Sequence, residues 1–466
     1  MLICANQIDE DIIKLKKMNK RKFSKLFLVT ALASVSVFTA CKKDKSTDGG
    51  TTILSGQLAN GTVITGDLVN DVTLTKGNTY VLKGGVHVKN GKTITIQDGV
   101  TVKSDPNEPA TAYLLVEPGA KIMAQGTEFS PIIFTSGMAA PKEQDWGGII
   151  VCGLAPVNGE GGRIASEMGA GVSYGGTNAA DNSGVLKYIR VEYTGKKQTA
   201  DKEHNGFTFE GVGNGTVVEN LAVYKGGDDA FEWFGGTVNV KYLFAYGAQD
   251  DTFDWTFGWN GKAQFLVGVQ GDGVADRGIE ADNSNKNRTA NPYSNPTISN
   301  VTLVGSLTAK TGDDPTTATE VGKTVGLKLR EGTRGKLHNF VVYNFNNGVD
   351  IEHDETLNNV SDETLAIKNS DISNANAWVF KHTTPAGGTR PPFTGTNPFI
   401  DATYANTTTA SNTKPSYITG VFVGTSATDA INPTTLDAFF TAANYKGAVQ
   451  ANSDWTNAAW VKTDKR

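Results

Sequence analysis

Two Asp-Asp steps mark the residues of this chain with the clearest chemical capacity. Gly227-Asp228-Asp229 and Gln249-Asp250-Asp251 each lead into a short segment with a further acid, Glu232 in Ala230-Phe231-Glu232-Trp233 and Asp254 in Thr252-Phe253-Asp254-Trp255. A third copy, Asp276-Arg277 before Gly278-Ile279-Glu280-Ala281, adds a cation. Carboxylates recurring at this interval admit three uses. They can ligate a hard cation: Ca²⁺ takes roughly six to eight oxygens in flexible geometry, and Asp228, Asp229, Asp250, Asp251 and Asp254 are its candidate ligands. They can work in pairs as general acid and base on a glycosidic bond. Or they are solvated turn residues, because Asp and Gly are what tight turns need. Spacing alone assigns no catalytic residue. Glu232, Arg277 and Glu280 are candidates for contacting carbohydrate, with Trp259 in Gly258-Trp259-Asn260-Gly261 as a stacking surface; Trp233 and Trp255 alternate with polar residues and read as core. The histidines show no ligand spacing; His353, in Glu352-His353-Asp354-Glu355, is a further metal candidate and otherwise a surface residue.

The elements that hold these acids repeat. Gly206-Phe207-Thr208-Phe209, Ala230-Phe231-Glu232-Trp233, Thr252-Phe253-Asp254-Trp255, Gly278-Ile279-Glu280-Ala281, Gly326-Leu327-Lys328-Leu329 and Gly348-Val349-Asp350-Ile351 all place a polar residue between two apolar ones. Period two at a fixed repeat means strands with one face packed inward and one toward water. Stacked in register, Thr208, Glu232, Asp254, Glu280, Lys328 and Asp350 form an outward column with neighbours about 5 Å apart. Between these segments runs a second strand series, at Val218–Tyr224, Val240–Tyr246 and Ala263–Val269, with weaker members at Ile298–Val301 and Leu337–Phe340; Asn220, Asn300 and Asn339 hold one equivalent position. Earlier, Thr93–Val102 and Tyr113–Ile122 each read as strand, tight turn, strand, with Gly99 and Gly119 in the turns.

One such coil cannot bury its apolar face, but a pile of them makes a continuous core. A dozen coils at about 4.8 Å would form a rod roughly 60 Å long. The expected architecture is all-β: a parallel β-helix over 53–384, loop insertions at 282–297 and 307–323, and an irregular C-terminal cap over 385–466. The run Gly126-Thr127, Pro131-Ile132-Ile133-Phe134-Thr135-Ser136 and Asp145-Trp146-Gly147-Gly148-Ile149 resembles bacterial right-handed, pectin-lyase-like β-helix proteins, which implies that handedness. Gly227-Asp228-Asp229 resembles the Asp-Asp segment of polygalacturonase-type glycosidases, but no Gly-His-Gly or Arg-Ile-Lys accompanies it. A lyase would need a basic proton acceptor, and Arg277, Lys328 and Arg330 are the nearby cations.

The chain has 466 residues, a net charge of −5, 53 glycines and only 15 prolines, which suits a fold of many tight turns. No basic stripe favours nucleic acid, no Gly-Lys-Ser loop favours nucleotides, and no Gly-x-Ser-x-Gly elbow is present. From Met18 the sequence reads as an export signal: Lys20, Arg21, Lys22 and Lys25 precede an apolar stretch too short to be a clear membrane span. It ends at Phe38-Thr39-Ala40-Cys41, which resembles a lipobox, with Phe38 where leucine is usual. That resemblance implies a signal segment over 1–40, its first 17 residues lying upstream of the recognisable signal. It also implies lipid attachment at Cys41 and a polar tether over 41–52. Cys-Lys-Lys-Asp resembles lipoproteins of Bacteroidetes-type bacteria, so the expected location is the outer membrane, on either its surface or its periplasmic side. Of the three cysteines only Cys152 falls in the body, in an apolar run that suits a buried thiol. The expected function is an envelope lipoprotein whose β-helix binds glycan or a surface partner protein; the alternative is a polysaccharide lyase or glycoside hydrolase acting on acidic polysaccharide.

Overall fold

The computed structural model describes residues 53–465 except 170, 200–201, 275, 309–323, 382–396 and 426–428. The segments read as export signal and tether, Cys41, and most of the 307–323 insertion lie outside the described residues. Within them the alternating segments are parallel strands that wind into a right-handed β-helix. The first sheet stacks eleven strands. Val63–Leu68, Thr79–Val88, Tyr113–Val116 and Ile149–Cys152 come first, then Phe207–Glu210, Phe231–Phe234, Phe253–Thr256 and Arg277–Ala281, and finally Val325–Leu329, Asn347–Glu352 and Asn376–Lys381. At about 4.8 Å per step this ladder is about 48 Å tall.

The other two sheets share strands. Gly184–Glu192, Val217–Tyr224, Asn239–Tyr246, Lys262–Val269, Thr297–Val304 and Gly335–Tyr343 each bend at one residue, so that one half pairs in the second sheet and the other half in the third. The bend residue is left-handed in every coil: Tyr188, Asn220, Tyr242, Phe265, Asn300 and Asn339 have φ between 53° and 64°. Asparagine tolerates that backbone better than most residues, which accounts for the repeated Asn. Gly99 and Gly119, at φ 71° and 83°, turn the early coils as expected.

Register fixes the core. Phe207, Phe231 and Phe253 are ladder partners, as are Phe209, Trp233 and Trp255, and all six are buried. Ring centroids one coil apart are 5.5 Å for Phe207–Phe231 and 5.7 Å for Phe231–Phe253, both near parallel. Each fully buried phenyl contributes about 1.5–3 kcal/mol. Flat rings stack well here because equivalent side chains lie directly over one another.

The outward face of the first sheet differs from expectation: most of its column is shielded from water, with Asp254 half-buried. Glu232, Glu280, Lys328 and Asp350 are all buried. Loops close over the sheet. Val157, Met168, Val172 and Tyr174 cover Leu115, Ile150, Cys152 and Phe234. Lys202 and Gln198 are tied to that cover, Lys202 Nζ donating to the Glu167 carbonyl at 2.9 Å and Gln198 Nε2 to that of Met168 at 3.2 Å.

The tail behaves as two pieces. Thr407–Thr409 pairs with Asp371–Ser373 and extends the third sheet at its end. Residues 415–425 and 429–465 run back along the flank as a strap. Ile418, Phe422, Val449 and Trp460 pack on the outward apolar residues Tyr224, Phe244, Val267 and Tyr343 of the third sheet. The strap returns as far as Arg190, whose Nη1 donates to the Ala459 carbonyl at 2.7 Å, and Tyr224, whose hydroxyl donates to Asp464 at 2.7 Å. The α-helix Asp354–Ser361 is amphipathic and short. No helix among the described residues is long and apolar enough to cross a membrane.

Candidate functional site

Register on the first sheet assembles the acids. Thr208, Glu232, Asp254, Glu280, Lys328 and Asp350 are successive ladder partners, so the column read from the sequence exists. Three positions before Glu232, Asp254 and Glu280, in the same coils, stand Asp229, Asp251 and Arg277. The two rows interleave into three overlapping groups, each with one oxygen per residue lying within 4.8 Å of the others: Asp228, Asp229 and Asp250; Asp229, Glu232 and Asp254; Asp251, Asp254 and Glu280. All five candidate Ca²⁺ ligands therefore fall into these groups. Glu232 and Glu280, read as carbohydrate contacts, join them because an outward strand residue and the acid that opens the next strand end up side by side.

The carboxylates are held by different partners. Asp229 accepts the backbone N–H of Asp251 at 2.8 Å, so one of its oxygens serves the next coil as a turn residue would. Glu232 accepts from the Asn205 amide. Arg277 Nε lies 3.1 Å from Glu280 and its Nη1 3.7 Å from Asp251. Arg330 pairs with Glu280 and, at 2.9 Å, with Asp282. Farther along, Lys328 lies 2.6 Å from Glu352 and 3.5 Å from Asp350, and Lys381 also pairs with Asp350. Cations thus interleave with acids from the third acidic strand, that of Glu280, onward. Oδ1 of Asp251 and Oδ1 of Asp254 are buried and accept no hydrogen bond among the described residues.

Electrostatics follow from this packing. Burial, reinforced by neighbouring carboxylates, pushes Asp229, Glu232 and Asp254 well above the usual carboxylate range. Burial also raises Asp251, although Arg277 opposes it. Asp276 rises to about 6 and Asp282 to about 7, again chiefly by burial. Arg277 is pushed the other way from a base: its acidic neighbours outweigh burial and hold the guanidinium charged. Such a cluster takes up protons or a cation. Its donors are all carboxylate oxygens, several per group, and Oδ1 of Asp254 accepts no hydrogen bond among the described residues. That donor set fits a hard divalent ion such as Ca²⁺.

Other sequence candidates land elsewhere. Trp259 is no stacking surface. It is fully buried, its indole lies on Trp233 at 4.6 Å, and its Nε1 donates to the Val238 carbonyl at 3.2 Å. The Gly-rich turn folds this ring inward, where it closes the core. His353 sits outside the acidic groups; its Nδ1 accepts from the Glu331 backbone at 3.1 Å and burial lowers it to about 4. Cys152 is the buried thiol its apolar setting implies, and donates to Glu210 at 3.0 Å. Glu210, absent from the sequence candidates, also accepts from Ser166 at 3.0 Å, and burial raises it to about 7. The alternation itself could have flagged it, since Glu210 is the next outward position after Thr208.

The pectate-lyase-like β-helix domain family matches residues 66–422, which span the whole acidic column. No curated protein and no solved structure matches the chain. With its coils, its register and this match over most of its length, the chain belongs to the family of pectate-lyase-like β-helix domains.

Proposed function

We propose that the β-helix binds an acidic polysaccharide through a divalent cation held by Asp229, Glu232 and Asp254, with Arg277 and Arg330 beside it. The observation that carries this reading is the convergence of these carboxylates within 4.8 Å on one outward column. The family's likeness to pectate lyase supports a carbohydrate-related role. Bound there, a Ca²⁺ ion would supply a contact for a uronate carboxylate. Arg277 and Arg330 present fixed guanidinium forks, which suit planar carboxylates. We also propose that the protein is an outer-membrane lipoprotein, tethered through Cys41. The basic residues from Lys20, the apolar stretch and Phe38-Thr39-Ala40-Cys41 support this, and two or more acyl chains suffice for stable anchoring.

A catalytic reading has one observation in its favour. A carboxyl whose proton affinity is raised by burial and by neighbouring carboxylates, such as Glu232 or Asp254, is suited to donate a proton to a glycosidic oxygen. That favours a hydrolase over a lyase, because Arg277 is held too firmly charged to abstract a proton. One experiment separates the readings: titrate polygalacturonate and alginate with Ca²⁺ or chelator, while following reducing ends and the absorbance of unsaturated products. Ca²⁺-dependent binding without turnover is expected. Absence of binding to either polymer in millimolar Ca²⁺ would refute the proposal, and turnover lost in Glu232→Gln would replace it with the hydrolase. Anchoring is tested by Cys41→Ala, which should move the protein from the membrane to the soluble fraction.

A further inference from the structure

A cleft opens on another side of the helix from the acids, where the second and third sheets bend under the C-terminal strap. Over the later coils the strap is tied down. Asn300 and Asn339 donate from their amides to the strap carbonyls of Tyr445 and Ile431 at 2.7 and 2.9 Å, and Gln264 bonds both ways with Thr441 at 2.8 Å. At the earlier coils the strap stands off, and a cavity of about 370 Å³ lies between. This is within the range of small-molecule sites, roughly 300–1,000 Å³.

The walls of the cleft are aromatic and ordered by the coil repeat. Tyr242 and Phe265, bend residues of adjacent coils, stack at 4.8 Å and 18°. The strap contributes Trp455 and Trp460, parallel at 5.5 Å and 5°. Tyr242 meets Trp455 edge-on at 5.6 Å and 76°, which makes a corner of two flat faces. Tyr188, Tyr242 and Trp455 are half-buried, so part of each ring is open to the cleft. Polar groups of mixed type edge these rings: the Glu219 carboxylate, the Lys187 ammonium and the Asn220 amide. Lys187 and Glu219 pair at 2.8 Å and so neutralise each other. The exposed Glu128 carboxylate adds negative charge at the rim.

We infer that this cleft binds an uncharged saccharide. A pyranose ring has C–H faces that lie on flat aromatic rings and an edge of hydroxyls that both donate and accept. The corner of Tyr242 and Trp455 matches the first, and Glu219, Lys187 and Asn220 match the second. A polyanion is disfavoured by Glu128 and by the internally satisfied Lys187. A simple cation would have no use for the ammonium. The site stands apart from the carboxylate column and does not depend on the function proposed for it.

The test titrates the full chain with neutral cello-, manno-, xylo- and malto-oligosaccharides, and with oligogalacturonate and an apolar peptide as contrasts. Tryptophan emission and calorimetry give the readout, each repeated with chelator. At least one neutral series should bind at about 1 mM or tighter, shift the emission, and be indifferent to chelator. Trp455→Ala and the shape-preserving Glu219→Gln should each weaken it at least tenfold, with melting temperature reporting that both variants fold. Failure of every neutral series, stronger binding of oligogalacturonate or peptide, or unchanged affinity in folded Glu219→Gln would each overturn the inference.

Discussion

Replacing Asp254 by asparagine should stabilise the metal-free protein and abolish its response to Ca²⁺, a pairing of signs that an ordinary structural carboxylate would not give. Asp254 belongs to two of the three acidic groups, with partner oxygens no farther than 4.8 Å. Two unit charges at that distance repel by about 3.5 kcal/mol at an effective dielectric of about 20. That value is the ceiling for each ionised neighbour, since partial protonation relieves it. The folded unit spans Thr52–Arg466. With an unfolding entropy of about 2.1 cal/mol/K per residue, or about 0.9 kcal/mol/K in all, the relief raises the melting temperature by up to about 4 °C. In the wild type, Ca²⁺ at a hundred times its dissociation constant stabilises by about 2.7 kcal/mol, or about 3 °C. Thermal melts at pH 7 with chelator and with Ca²⁺ measure all four states. Expected are a higher melting temperature for Asp254→Asn than for wild type in chelator, and no Ca²⁺ shift in the variant. A variant less stable than wild type in chelator, or one that keeps the full Ca²⁺ shift, would refute the reasoning.

Further outcomes follow from the same geometry. The folded-state pKa values of Asp229, Glu232 and Asp254 lie above their unfolded ones, so metal-free stability should fall as pH rises from about 4 toward neutrality; melts in chelator should show this decline, with the Ca²⁺ shift appearing over the same range and absent near pH 4. Glu210→Gln should flatten the part of that decline between about 4.5 and about 7, because Glu210 is raised to about 7 by burial. Trp259→Ala should cost about 3–5 kcal/mol by opening a cavity against Trp233, and leave polysaccharide affinity unchanged in the folded fraction. Cys152 should resist thiol reagents until the protein unfolds, since its thiol is buried and its pKa raised by burial and by Glu210.

The repeats that were legible are those in which one residue type is forced by stacking. Phe231 and Phe253 must be apolar because each lies on the other, and Glu232 and Asp254 must face away from them, so alternation exposes both rows. The bend row was half legible: Asn220, Asn300 and Asn339 advertise a left-handed backbone, whereas Tyr188, Tyr242 and Phe265 adopt it without any compositional sign. Asp229 and Asp254 were read together as ligands, but the joining of Glu232 to them was not visible, because it depends on how far each turn advances before the next strand begins. Trp259 misled for a related reason. A ring flanked by glycines has turn chemistry, but its side chain direction is set by φ and ψ, which here send it inward. The cover over the early coils was equally hidden, since Val157, Met168, Val172 and Tyr174 come from a loop that carries no periodic signal.

The strap has a mechanical consequence. In a simple solenoid each coil touches only its neighbours, so the ends can fray and the stack can unravel stepwise. Here a single segment binds Tyr343 near one end, Thr302 and Gln264 in the middle, and Tyr224 and Arg190 nearer the other. Peeling away the last coils therefore requires releasing the segment that also grips the earlier ones. The winding should yield as one body under pulling or heat, with a single sharp rupture where an unstrapped stack would show a staircase.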